Sequence, residues 1–211
     1  MEQQNETASF GMWLFLVTEI MFFGGLFCAY LIYRVLYFDS FAAASSTIDV
    51  KWGAINTVVL IFSSLTMAMA VHAAQLGKRK ALVGFLVATI FLGSVFLGIK
   101  GKEYYEKFVE HHVPGPSYHF VVEPELAEKF HAIDPQKTEI FFSLYFIMTG
   151  LHATHMVVGF GLLVWLIVAS MKGKFSPSYN SPVEMVGLYW HFVDIVWIWL
   201  FPLLYLISRH H

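Results

Sequence analysis

Five stretches of this 211-residue chain, roughly 10–37, 54–76, 81–101, 139–170 and 183–207, are predominantly apolar over about 20 residues or more. At about 1.5 Å per residue, such a run crosses a hydrocarbon layer about 30 Å thick as a single α-helix. Lipid offers no partner to a free peptide group, so only helices or a closed barrel can span it. Barrel strands would alternate apolar and polar residues, whereas these runs are continuous. The chain therefore reads as an all-α membrane protein, a five-helix transmembrane bundle forming one domain over residues 1–211. Composition agrees: 57% of residues are hydrophobic and 13% charged, against about 25% charged in soluble domains. The first and fourth runs exceed the hydrocarbon thickness, which implies tilt or an extension into water.

The connections set the topology. Only "GKRK" (77–80) separates the second run from the third, which forces an antiparallel hairpin. The excursion 102–138, rich in charge, His and Pro, belongs at the surface and has room for short helices. Lys78, Arg79, Lys80, Lys172 and Lys174 fall in short connections on the side of the N-terminus. The cytoplasmic bias of Lys and Arg then places the N-terminus inside, and the C-terminus and the excursion outside. The opening "MEQQNETAS" lacks the basic start of a signal peptide, so the first helix is expected to stay in the mature protein. A formal net charge of −2 gives no basic patch for nucleic acid. The lone Cys28 excludes an intrachain disulfide, a CxxC redox pair, a cysteine zinc site and an iron–sulfur cluster.

Polar side chains inside the spans are the candidate functional residues, because an ionisable group in hydrocarbon costs about 2.5–3.5 kcal/mol on insertion scales. Glu19 lies about 13 Å along the first run. As a protonated acid it would brace a neighbouring helix; as a carboxylate it would relay protons or coordinate a ligand. Gly24 and Gly25, about a turn later, suit close helix approach. In the fourth run, "TGLHATHMVVGFG" sets His152 and His155 three apart on one face, among Gly150, Gly159 and Gly161. These imidazoles are either core histidines bonded to adjacent helices or, opposed by His72 or His191, haem ligands of a membrane cytochrome b. In "GLYWHFVDIVWIWLFPLLYL" His191 and Asp194 again share a face, and Asp194 is expected to orient or pair with the imidazole. Trp190, Trp197 and Trp199 flank them, which puts Trp190 and His191 near the inner membrane surface, and Pro202 is expected to kink the helix. Glu103 and Glu106, in "GKEYYEKF", read as a solvated face, with Tyr104 and Tyr105 at the interface. Ser63 and Ser64 near His72 lack a Gly-x-Ser-x-Gly setting, which argues against a serine hydrolase. A stand-alone carrier centred on Glu19 is disfavoured by the lack of broken-helix segments and inverted repeats.

The segments "TEIMFFGGLFCAY", "EYYE", "TGLHATHMVVGFG" and "YWHFVDIVWIWLFPLLYL" follow one another as they do in subunit III of the haem–copper oxidases. The chain most closely resembles subunit III of cytochrome c oxidase, from about Phe10 to Leu206. By this resemblance Glu19 matches the family's acid beside an aromatic pair, here Phe22 and Phe23. His72 lies in a helix that begins near an Asn-Thr pair, here Asn56 and Thr57. His152 and His155 match the paired histidines of the penultimate helix, and Trp190, His191 and Asp194 the final motif. Together with Glu103 these are implied to be structural, lipid-contacting or subunit-interface residues, none of them catalytic and none a metal ligand.

The resemblance also implies an accessory subunit with no redox centre of its own. Haems and copper belong to partner subunits of a complex that reduces oxygen to water and pumps protons. The implied partners are subunit I, by direct packing, and subunit II, with a small subunit IV or a larger respiratory supercomplex beyond them. Phospholipid in a cleft, support of proton uptake and durability of the active site during turnover are the implied contributions. The implied location is the bacterial inner membrane, crossed several times. Many relatives have seven helices, two of them N-terminal and without a counterpart here. The shorter form also resembles bacterial versions from quinol oxidases and nitric-oxide-reductase-associated proteins.

Overall fold

The apolar runs become helices, and local chemistry decides where each one stops. The computed structural model describes residues 2–116, 118–122, 129–130, 133–177 and 179–207, and the side chains among them other than those of residues 2–6 and 8. Its helices are α1 (Glu2–Leu36), α2 (Phe38–Ser46), α3 (Val50–Gln75), α4 (Arg79–Val109), α5 (Pro135–Met171) and α6 (Ser181–Tyr205). Five segments are long and apolar enough to cross a membrane: Ser9–Leu36 of α1, and α3 to α6. These are the five expected spans. Two features were not foreseen: α4 runs on past Gly101 to Val109, and α2 packs as a short helix after the first span. The short helices expected within 102–138 fall partly on residues 117, 123–128 and 131–132, outside the described residues.

Aspartates start two of the long helices. The Asp49 side chain accepts from the Lys51 amide at 2.8 Å to cap α3, and Asp134 accepts from the Gln136 amide at 2.9 Å to cap α5. Pro135 follows Asp134 at the first helical position, where its missing N–H costs nothing. Three helices close in the same way at their C-termini. Lys78 N–H reaches Ala73 O at 2.9 Å, Lys174 N–H reaches Ala169 O at 3.1 Å, and His112 N–H reaches Lys107 O at 3.0 Å. Each closure needs one left-handed residue: Gly77 (φ 68°), Gly173 (φ 72°) and His111 (φ 56°). His111 alone carries a Cβ there, so the end of α4 holds backbone strain that the other two avoid.

The tight turn after α3 folds α4 back along it, and this pair makes the broadest contact in the bundle. α6 lies against α3 and α5, and α5 against α4, while α1 rides on the flank of α5 and α6. Closest approach is at small residues. A Cβ on Gly159 would lie 2.8 Å from the Trp190 ring, and one on Gly93 would meet Phe160 at 2.8 Å and Trp190 at 3.2 Å. Gly187 faces Val71 in the same way, at 2.9 Å. Gly24, Gly25 and Gly161 do not act so: a Cβ on any of them would find nothing within 4 Å. All three are exposed, and Gly24 lines a gap between α1 and α6 too wide for close contact.

The end of α6 is held from the start of the chain. α6 continues through Pro202 to Tyr205, and its last carbonyls have no partner within the helix. The Tyr30 hydroxyl donates to Leu203 O at 2.6 Å and the Ser45 hydroxyl to Leu204 O at 2.8 Å.

Candidate functional site

Three polar clusters lie inside the bundle. The first joins α1 to α5: Glu19 Oε2 is 3.1 Å from His155 Nε2. His155 Nδ1 is 2.9 Å from the Leu151 carbonyl, which can only accept. Nδ1 is thus placed to donate to that carbonyl, which leaves Nε2 facing the Glu19 carboxyl. Phe23 and Tyr189 pack on the His155 ring, with centroids at 5.6 and 6.4 Å, and Tyr189 O–H donates to His155 O at 2.9 Å. Glu19 thus has its polar partner on another helix.

The second cluster was misread from the sequence. Glu103 is not on a solvated face; it is 7% exposed. Its Oε1 accepts from Lys100 Nζ at 3.1 Å, Tyr145 O–H at 2.5 Å and Tyr205 O–H at 2.6 Å. Lys100 lies 2.9 Å from both tyrosine oxygens and is ringed by Tyr104, Tyr145, Trp197 and Tyr205, with centroids 5.0 to 5.6 Å away. A turn of α4 buries both charges because α5 and α6 bring tyrosines to meet them. Glu106 does face outward, paired with Lys102 at 3.6 Å. Lys100, Tyr145 and Tyr205 went unrecognised, although a lysine within the run "FLGIKGKE" was itself a signal.

The third cluster centres on α6. Trp190 is fully buried, not a belt residue, and its Nε1–H donates to Ser63 Oγ at 3.1 Å. Ser63 adjoins a Thr66–Thr89 hydroxyl pair at 2.8 Å, so α3, α4 and α6 share one polar seam. The expected His191–Asp194 pair does not form. His191 Nδ1 bonds Ser64 Oγ at 2.7 Å, and both Asp194 oxygens are buried with no well-formed hydrogen bond among the described residues, although the Ser64 hydroxyl lies close enough to Asp194 to interact with it. His152, expected to bond a neighbouring helix, has neither ring nitrogen partnered among the described residues. Its ring packs against Phe96 and Trp197, with centroids at 5.5 and 5.3 Å. His72 sits exposed in the last turn of α3, where a basic group faces the negative end of the helix.

Beside the first cluster, a cleft of about 480 Å³ runs between α1 and α6. Trp13, Leu16, Phe23, Phe27, Ile195 and Trp199 line it, and His191 is the single ionisable residue in its wall. Where the excursion leaves α4, His112 stacks on Phe142 with centroids 4.9 Å apart. Its Nδ1 lies 3.2 Å from Glu110 Oε2, which Lys107 Nζ meets at 2.6 Å. Burial, and then the Lys107 charge, hold the His112 imidazole below its usual 6.5. Among the described residues no group of three or more His, Cys, Asp or Glu is placed to hold a metal ion.

Comparison with known proteins assigns the bundle. The model of the family "Cytochrome c oxidase subunit III" matches residues 3–133 and 125–209. The chain belongs to this family. It is therefore a subunit III of a haem–copper terminal oxidase, a multi-pass membrane component of a respiratory complex. A cytochrome c oxidase subunit 3 from Corynebacterium diphtheriae is 32% identical over 202 residues, 95% of this chain and 88% of that protein. A probable cytochrome c oxidase subunit 3 from Nocardia farcinica is 31% identical over 199 residues, 94% of this chain and 87% of the relative. A quinol oxidase subunit 3 from Bacillus subtilis is 29% identical over 211 residues, 99% and 92% of the two chains. Relatives serving either electron donor are thus about equally similar.

Proposed function

We propose that this chain is the accessory, redox-inactive subunit III of a proton-pumping cytochrome c oxidase in a bacterial inner membrane. It packs on subunit I, beside subunit II, with a small subunit IV or a respiratory supercomplex as further neighbours. Its N-terminus lies inside. It binds phospholipid, supports proton uptake and preserves the catalytic subunit during turnover. Haems and copper belong to the partner subunits.

The observation that carries this reading is the α1–α6 cleft with the Glu19–His155 pair against it. A cleft of about 480 Å³ with apolar walls between two membrane-spanning helices matches an acyl chain, which would be held there by van der Waals packing, with no gain from leaving water. Phe23 both lines the cleft and packs on His155, so the occupant of the cleft bears on the Glu19–His155 contact between α1 and α5. That supports a role in lipid binding and in proton supply. Glu19 and the "EYYE" segment favour cytochrome c as donor.

The test is removal of this subunit from the complex in native membranes. Oxidation of reduced cytochrome c should begin near the intact rate and then decay with turnover. Immediate total loss of activity would overturn the accessory role. Normal oxidation of quinol with none of cytochrome c would transfer the chain to the quinol enzymes.

A further inference from the structure

Two turns at the end of the bundle where α3 and α5 finish bring five cations together. Lys78, Arg79 and Lys80 lie where α3 turns into α4, Lys172 and Lys174 where the chain leaves α5, and all five are exposed. The turns touch. A Cβ on Gly77 would stand 3.0 Å from Pro177 Cγ, and one on Gly173 would stand 3.4 Å from Arg79 Nη1. Arg79 thus reaches from the first turn to the second, and the cations form one patch.

No ion pair neutralises it. Among the described residues no carboxylate pairs with any of the five, whereas Lys100, Lys102 and Lys107 at the opposite end each have one. Glu184, in the first turn of α6, instead accepts from Gln75 Nε2 at 2.8 Å. Arg79 and Lys80 stand in the first turn of α4, which holds no acid, so the positive end of that helix adds to their repulsion. Like charges gathered in this way are relieved by anions from outside the chain.

The surface beside the patch says what carries those anions. Trp165, about 10 Å before Lys172 along α5, meets Phe175 at 6.4 Å, and Phe175 stacks on Tyr179 at 6.4 Å. Trp and Tyr gather at the level of lipid headgroups, which sets the cations among phosphates. Trp165, Val168 and Met171 are 51%, 40% and 53% exposed and continue an apolar face of α5 up to Lys172. An occupant that meets both surfaces offers an anion to the turns and a hydrocarbon chain to α5. A phospholipid does so, and an acidic peptide does not.

We propose that this patch binds anionic phospholipids, their phosphates held by the cations of the two turns and their chains lying along Trp165, Val168 and Met171. The site is separate from the α1–α6 cleft, whose lining has no lysine or arginine. It selects lipid by headgroup, where the cleft takes lipid by its chain.

Quenching in the assembled complex, held in lipid nanodiscs, tests this. In a Cys28→Ser background Met171→Cys carries a bimane label, and a sample without the new cysteine supplies the background signal. The bilayer is phosphatidylcholine with an increasing fraction of either phosphatidylglycerol or phosphatidylcholine bearing a nitroxide near the headgroup. Half-quenching should need a fraction of the anionic lipid at least about threefold lower, since one Lys or Arg near an anionic surface is worth about fivefold. Lys78→Gln, Arg79→Gln, Lys80→Gln, Lys172→Gln and Lys174→Gln together should bring the two curves into coincidence. Salt at about 0.5 M, with a screening length of roughly 4 Å, should narrow the gap for the unaltered patch. Equal quenching by the two lipids overturns the site, and so does a preference that survives the five substitutions. Quenching by neither overturns it as well, because a protein segment then covers the patch. The readout needs neither electron donor nor turnover, so its failure would leave the accessory role standing.

Discussion

Replacing Lys100 by methionine removes a charge from the most densely bonded point of the bundle while keeping an unbranched apolar stem. The ammonium lies 3.1 Å from Glu103 Oε1 and 2.9 Å from two tyrosine oxygens, and the two charged side chains are 7% and 8% exposed. Breaking a buried ion pair by deleting one partner costs about 3–5 kcal/mol, because the other charge stays buried and uncompensated. Two tyrosine hydroxyls still donate to Glu103 in Lys100→Met, so the loss should fall at the low end, about 3 kcal/mol. Glu103→Leu strands the ammonium instead, with four aromatic faces as partial compensation, and should cost about 3–4 kcal/mol. The double variant strands neither charge, so its loss should fall short of the sum by at least about 2 kcal/mol. The assay is reversible unfolding of the subunit in lipid–detergent bicelles by steric trapping, run on all four corners of the cycle. Additive losses, or a single-variant loss below about 1 kcal/mol, would refute the view that these charges compensate each other in a desolvated site.

Gly159→Ala should destabilise by about 1–3 kcal/mol, since its Cβ would stand 2.8 Å from the fully buried Trp190 ring. Gly24→Ala, with nothing within 4 Å, should change stability by less than about 0.5 kcal/mol; thermal unfolding of the two variants compares them directly. His111→Gly should stabilise the end of α4 by about 1 kcal/mol, because the left-handed φ of 56° is free for glycine, and slower proteolysis beyond Val109 would register it. Because folding lowers the His112 pKa below 6.5, the neutral form is favoured in the native state. Stability from this group is therefore complete above pH 6.5 and lost as pH falls through the lower folded value, by at most about 1.4 kcal/mol per pH unit. Hydrogen exchange at the His119 amide, bonded to His111 O at 3.0 Å, should accelerate below pH 6.5, and a rate flat from pH 7 to 5 after correction for intrinsic exchange would contradict this.

The spans were legible because lipid leaves so few options: a continuous apolar run of this length has to be a helix, and each of the five is one. α2 was missed because "FDSFAAASS" is too short and too mixed to show a period. Within the site, local spacing misled where the partners are distant. His191 and Asp194 share a face, but His191 finds Ser64, 127 positions away, a match that no i,i+3 rule encodes. Glu103 looked solvated because "KEYYEKF" is charged; its burial depends on Tyr145 and Tyr205, 42 and 102 residues further on. Glu19 was the better case, since an acid in hydrocarbon must find a partner somewhere, and His155 was already singled out on its own helix. The glycines show the same limit from the other side, because smallness alone cannot tell which face another helix will meet.

The carbonyls of Leu203 and Leu204 are capped by Tyr30 and Ser45, across sequence separations of 173 and 159 residues. During synthesis the Tyr30 hydroxyl of the first span and the Ser45 hydroxyl of α2 thus lack these acceptors until α6 has been released by the ribosome. A chain cut short before α6 presents two unquenched donors to lipid at that end. In the finished molecule the same two bonds tie the first span and α2 to the end of α6.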